Sequence, residues 1–145
     1  MRLNPLRPVT IYGRMIKFSH SVFALPFALS GAALAASVNG ITLSQIGWII
    51  VAMVSARSAA MGFNRIADRT IDAANPRTSA RELPTGLVSL RAALVFVVGS
   101  AVVLVYAASQ LNTLCLYLSP VALGVVLSYS LTKRFTWLSH VVLGL

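Results

Sequence analysis

Two stretches of this chain, residues 18–56 and 92–132, contain no aspartate, glutamate, lysine or arginine. Each is about twice the roughly 20 apolar residues that a helix needs to cross a bilayer. Each is also broken once by polar but uncharged residues, Asn39-Gly40 in the first and Gln110-Leu111-Asn112 in the second. Each run therefore reads as two helices and a turn, and the chain as an all-α, polytopic transmembrane helical bundle. With 57% hydrophobic and only 10% charged residues, it is far from a soluble domain. The lone Cys115 excludes an intrachain disulfide and a cysteine-based metal site.

A net charge of +9 suits a nucleic-acid partner, but its placement argues for a membrane and no nucleic acid. Arg2, Arg7, Arg14 and Lys17 precede the first run. Arg65, Arg69, Arg77, Arg81 and Arg91 fall between the runs, Lys133 and Arg134 follow the second, and the two inner breaks carry no charge. Such a distribution obeys the positive-inside rule. It predicts that the N-terminus, the central loop and the Lys133 loop are cytoplasmic. Arg77 and Arg91 are expected to set topology and touch anionic lipid heads. Arg57, inside a span, is the exception to the pattern.

Taken in order, residues 1–17 read as a basic cytoplasmic arm whose start Pro5 and Pro8 keep extended. A secretory signal peptide cleaved within Ala32-Ala33-Leu34-Ala35-Ala36-Ser37 is the competing reading; the long basic region and the spans that follow weigh against it. The first span runs from roughly His20 to Val38, with Pro26 inside it and His20 at its mouth. The second opens near Ser44, with Trp48 as an interfacial anchor and small residues for close helix packing. The second span carries its helix on to the cytoplasmic end; residues 65–91 are expected to form the cytoplasmic active-site loop, within which Pro76, Pro84 and Gly86 mark Asn75 to Gly86 as ordered but not helical. Ser89 is expected to cap a third span reaching about Ser109, and the fourth spans roughly Thr113 to Leu131. A fifth helix opens near Trp137 and stops at Leu145, so residues 1–145 are expected to be one integral membrane domain from the N-terminal part of something longer.

Chemistry concentrates in Gly62-Phe63-Asn64-Arg65-Ile66-Ala67-Asp68-Arg69-Thr70-Ile71-Asp72. The chain has three acidic residues in all, and two of them stand here. Asn64, Asp68 and Asp72 are each four apart, so on a helix they form one polar stripe, with Arg57 on the same side. A carboxylate at membrane depth costs about 2.5–3.5 kcal/mol, and such groups line a cavity or bind something. Oxygen ligands of this kind suit a hard cation, and Mg²⁺ commonly takes one or two carboxylates plus substrate phosphate oxygens. Arg57, Arg65 and Arg69 suit the phosphate half of such a ligand.

The Asn64-x-x-x-Asp68-x-x-x-Asp72 stripe, followed by Pro76-Arg77-Thr78 and Arg81-Glu82-Leu83-Pro84-x-Gly86, resembles the first aspartate-rich motif and loop of the UbiA-type membrane prenyltransferases. Tyr129-x-x-x-Lys133 looks like a second element of that family. Gly13-Arg14-Met15-Ile16-Lys17-Phe18 and Phe23-Ala24-Leu25-Pro26-Phe27-Ala28-Leu29 are most similar to its bacterial 4-hydroxybenzoate polyprenyltransferase branch. The resemblance implies the N-terminal half of an eight- or nine-helix fold, whose second aspartate-rich motif lies in the C-terminal half. No acid follows Glu82 here, so this chain carries half of such a site.

For function, the resemblance implies transfer of a polyprenyl group from polyprenyl diphosphate to an aromatic acid such as 4-hydroxybenzoate, in ubiquinone or menaquinone biosynthesis. It implies that Asp68, Asp72 and Asn64 hold Mg²⁺ and assist catalysis. Arg57, Lys133 and Tyr129, with Arg65, Arg69 or Arg81, would bind the substrate phosphates. The blander reading pairs Asp68 and Asp72 with Arg65 and Arg69 in the headgroup region. A CDP-alcohol phosphotransferase is disfavoured, because no Asp precedes Ala56-Arg57 and Asn64 stands where a glycine is wanted. A transporter fragment, or a truncated non-catalytic protein that binds lipid diphosphate, is the remaining alternative.

Overall fold

The computed structural model describes residues 7–16 and 21–132. They form five helices: α1 (Arg7–Met15), α2 (Ser21–Asn39), α3 (Leu43–Ala74), α4 (Leu90–Leu111) and α5 (Thr113–Thr132). Helices α3, α4 and residues Thr113–Leu131 of α5 are long and apolar enough to cross a membrane. Helix α2 adds 19 residues without a charge. The chain is an integral membrane protein built as a helical bundle. Accordingly, α4 and α5 turn large apolar side chains outward, among them Val95, Val98, Val102, Leu114 and Val121. His20, Lys133 and the expected fifth helix lie outside the described residues.

Local chemistry fixes where α3, α4 and α5 start. Thr42 and Gln45 form a reciprocal capping box at the head of α3: Gln45 N donates to Thr42 Oγ1 at 3.2 Å, and Thr42 N donates to Gln45 Oε1 at 2.9 Å. Two otherwise orphaned donors are thereby satisfied. Gly40 precedes them with φ +71°, a conformation that glycine adopts without penalty. Ser89 caps α4 as expected, accepting from Ala92 N at 3.2 Å. Asn112 alone separates α4 from α5; its N–H donates to Ala108 O, and its Oδ1 accepts from Cys115 N at 2.7 Å. One residue thus ends one helix and begins the next. Pro26 and Pro120 sit inside α2 and α5 without ending them.

Residues 65–74 of the expected active-site loop continue α3, as the helical stripe requires, and the non-helical connection runs over 75–89. One expectation needs correcting: the N-terminal arm is not extended at Pro8, because residues 7–15 are helical. Proline in a first turn lacks only an N–H that would have had no partner in the helix, and its fixed φ suits the helix. Ile11, Tyr12 and Met15 then share one face of α1. Met15 and Ile16 join Val88 and Ala93 in a buried core, and Tyr12 stacks on Phe96 of α4 with ring centroids 5.1 Å apart. Arg14 remains exposed.

The main packing is α3 against α4. Small residues of α3 (Ser55, Ser58, Ala59, Gly62) are buried, as are Ala93, Val97, Leu104 and Ala107 of α4. The two serine hydroxyls donate to carbonyls of their own helix, Ser55 to Val51 and Ser58 to Val54, both at 2.7 Å. They therefore bury no unsatisfied group against α4. At Gly62 the approach is tight: a Cβ there would lie 2.8 Å from Val97 Cγ2. Near the N-terminal end of α3, Trp48 meets Tyr106 edge-on, with centroids 5.6 Å apart.

With about 1.5 Å per residue, the 32 residues of α3 extend about 48 Å, against a hydrocarbon core of about 30 Å. The helix is thus longer than a crossing requires, and its apolar stretch precedes the polar stripe. Gly62→Val should lower stability by about 1–3 kcal/mol through overpacking, read as a drop in Tm of the detergent-solubilised protein. Gly99→Ala, where a Cβ meets nothing within 4 Å, should leave Tm unchanged or slightly raised. Equal losses at both positions would refute this account of the α3–α4 contact.

Candidate active site at the end of α3

Asn64, Asp68 and Asp72 occupy successive turns at the C-terminal end of α3. Asp68 and Asp72 are 8% and 6% exposed, and Asn64 is half-buried. The chain leaves the helix at Asn75 and reverses at once. Asn75 Oδ1 accepts from Arg77 N at 3.0 Å, while Thr78 N and Ser79 N donate to Asn75 O at 2.9 and 2.8 Å. Asn75-Pro76 thus makes a compact turn stabilised by the asparagine side chain. Thr78 Oγ1 donates to the main-chain oxygen of Asp72 at 3.1 Å, holding the returning loop against the helix end. Gly86, at φ +73°, provides the last reversal before Val88 enters the core.

This loop brings Arg81 onto the stripe. Arg81 Nη1 donates to both carboxylate oxygens of Asp72, each at 2.7 Å, with the arginine side chain 28% exposed. Arg65, 5% exposed, points elsewhere: its Nε donates to Met15 O at 3.1 Å. Met15 ends α1, where carbonyls lack helical partners and carry the negative end of the helix dipole. Arg65 therefore caps α1 and secures it to α3. Asp68, Asp72, Glu82 and Arg81 all lie within electrostatic range of Arg65.

The other expected site residues are less tightly gathered. Arg69 and Arg77 are exposed. Arg57 lies on α3, half-buried, and its Nε is buried with no hydrogen-bond partner among the described residues. Tyr129 is half-buried on the last turn of α5. Each of α4 and α5 reverses the direction of the helix before it, so the C-terminal ends of α3 and α5 share one face of the bundle. Lys133 lies outside the described residues. Reasoning from the sequence missed the Arg81–Asp72 pair, because residues nine apart meet only through the Asn75 reversal. It also missed the capping role of Arg65.

The donor set fits Mg²⁺ in the manner of a substrate-completed site. Asp68, Asp72 and Asn64 offer hard oxygen ligands on adjacent turns. Among the described residues, no group of three or more His, Cys, Asp or Glu gathers as a metal cage. A cation here would draw its remaining ligands from water or a phosphorylated substrate. Arg65→Ala should remove a charge-assisted hydrogen bond of about 1.5–3 kcal/mol. Hydrogen exchange should then accelerate in residues 11–16, with less change in α5. Unaltered protection of α1 would show that its apolar contacts suffice.

Comparison with known proteins follows the same lines. The UbiA prenyltransferase family profile matches residues 24–145. The chain is 40% identical over 96 residues to the 4-hydroxybenzoate octaprenyltransferase of Vibrio atlanticus, covering 66% of this chain and 34% of that protein. With the Vibrio cholerae protein of the same name, identity is 43% over 89 residues, or 61% and 31% of the two chains. The apo structure of a UbiA homolog from Aeropyrum pernix K1 superposes with a TM-score of 0.81 at 42% identity, over 87% of this chain and 45% of that one. The chain matches about a third of the length of these curated relatives.

Proposed function

Because the chain belongs to the UbiA prenyltransferase family, we propose that it provides the first aspartate-motif half of an enzyme transferring a polyprenyl group from its diphosphate to an aromatic acid. The observation that carries this reading is the pair of buried carboxylates on adjacent turns at the C-terminal end of α3, with Asn64 one turn before them. Buried carboxylates in an apolar chain call for a cationic partner, and the names of the curated relatives supply the substrate class, a polyprenyl donor and 4-hydroxybenzoate. The reaction belongs to quinone biosynthesis at the cytoplasmic face of a bacterial inner membrane.

In this mechanism the carbon–oxygen bond of an allylic diphosphate ionises, and negative charge grows on the departing oxygens. Mg²⁺ held by Asp68 and Asp72, with Asn64 as a neutral ligand, would supply Lewis-acid stabilisation of that charge. Arg57 is on the same face of α3, and its buried Nε is available to a phosphate oxygen. Lys133 and Arg69 supply further positive charge, and Tyr129 a hydroxyl donor. The allylic cation then alkylates an electron-rich ring carbon, which loses a proton. Apolar walls keep water from that cation. A cavity of about 510 Å³ between α3 and α4, lined by Ile50, Val54, Phe96 and Val103 among others, offers a surface suited to an isoprenoid tail on the turns that also carry Arg57.

Transfer of radiolabelled prenyl groups to 4-hydroxybenzoate tests the assignment, with this chain assayed beside a version extended to its relatives' length. In whichever form is active, Asp68→Ala and Asp72→Ala should each lower kcat by at least about 10²-fold, the usual scale for losing transition-state charge stabilisation. Arg77→Ala, at an exposed loop position, should retain most activity. Equal losses for all three would sink the site assignment. Activity in neither form would remove the proposed acceptor or the transferase reading itself.

A further inference from the structure

We propose that Arg81 is an exchangeable guard on Asp72, neutralising the carboxylate while no cation is bound and transferring its hydrogen bonds to diphosphate when a cation arrives. This rests on the reading of Asp68 and Asp72 as cation ligands. It adds a coupling between cation and phosphate binding through one positioning residue.

Geometry makes the two uses of Asp72 mutually exclusive. Arg81 Nη1 stands 2.7 Å from both Oδ1 and Oδ2, so it occupies the chelating edge of the carboxylate. A divalent ion on that edge would meet a guanidinium at a distance where like charges repel strongly. The guard is also needed whenever Asp72 has no cation, because a buried carboxylate without a partner is costly. Its side chain is the more accessible of the two, 28% exposed against 8%, so it can leave toward solvent while Asp72 stays in place.

The loop's own bonds permit that exchange. Arg81 N donates to Thr78 O at 3.1 Å, Thr85 Oγ1 donates to Arg81 O at 2.8 Å, and Thr78 Oγ1 donates to Asp72 O at 3.1 Å. These contacts fix the main chain around residue 81 without using its guanidinium. The side chain can therefore change partners while the loop keeps its fold. A guanidinium displaced from a carboxylate finds in a diphosphate oxygen an acceptor of the same fork geometry. Arg65 does not substitute for it, since its Nε is committed to Met15 O.

Mn²⁺ titration followed by the EPR signal of the free ion, on the purified chain in detergent, tests the idea without requiring turnover. In the absence of diphosphate, Arg81→Gln should bind Mn²⁺ about tenfold more tightly than the wild type, about 1.4 kcal/mol. Added inorganic diphosphate should tighten Mn²⁺ binding in the wild type and do so much less in Arg81→Gln. Arg81→Lys, which keeps the charge, should fall between them. Unchanged or weaker Mn²⁺ affinity in Arg81→Gln would overturn the guard, while loss of binding in Asp72→Asn would still uphold the ligand reading. Binding that is absent in the wild type, or indifferent to Asp72→Asn, would overturn both. A nitroxide at Ala80 in a Cys115→Ser background gives a second measure that leaves Arg81 intact. Its spectrum should change when Mg²⁺ and inorganic diphosphate are added together but not with diphosphate alone; no change with both would also overturn the proposal.

Discussion

The close approach of α3 and α4 at Gly62 is the contact on which the remaining structure depends. With no Cβ at that position, Val97 and Phe96 of α4 come within 2.8 and 3.3 Å of where one would stand. The hydrophobic effect gives little drive to helix association inside a lipid phase, so backbone proximity and dispersion must supply it. That contact sets the first turns of α4, and with them Ala93 and Phe96, the surfaces on which α1 settles. It also fixes the gap that residues 75–89 must bridge. The loop carrying Arg81 is short enough, and its ends well enough held, to fold onto the end of α3.

Charge then organises what packing has positioned. Acidic residues in so apolar a chain call for cations beside them, and all three lie within electrostatic range of Arg65. The two arginines divide the work. Arg65 is buried and structural, tying α1 to α3 through the Met15 carbonyl. Arg81 reaches from a loop to a carboxylate of the stripe. The same balance of charges that makes the end of α3 tolerable for Asp68 and Asp72 also makes a site for a cation and an anionic substrate chemically reasonable.

Several elements were legible in the sequence because their causes are local. Ser89 caps α4 through a bond to an amide three residues on, and the polar breaks at Asn39-Gly40 and Asn112 fall where helices end. The stripe was legible for the same reason, since helical periodicity alone places Asn64, Asp68 and Asp72 on one face. Pro8 was misread because a proline signals extension or a helix's first turn equally well, and the apolar face of Ile11, Tyr12 and Met15 decides between them only once there is a surface to receive it. Arg65 and Arg69 were natural partners for the acids by proximity in sequence. The observed partner of Asp72, nine residues away, required a chain reversal that periodicity does not describe.

By itself the sequence determined the class of the molecule, its helical membrane segments and the single polar stripe, because uncharged runs and four-residue spacing act through short-range physics. Tertiary structure decided which cation meets which carboxylate, what covers the end of α1 and how closely α3 and α4 approach. Those outcomes depend on surfaces far apart in the chain, and their energies exist only after the helices have packed.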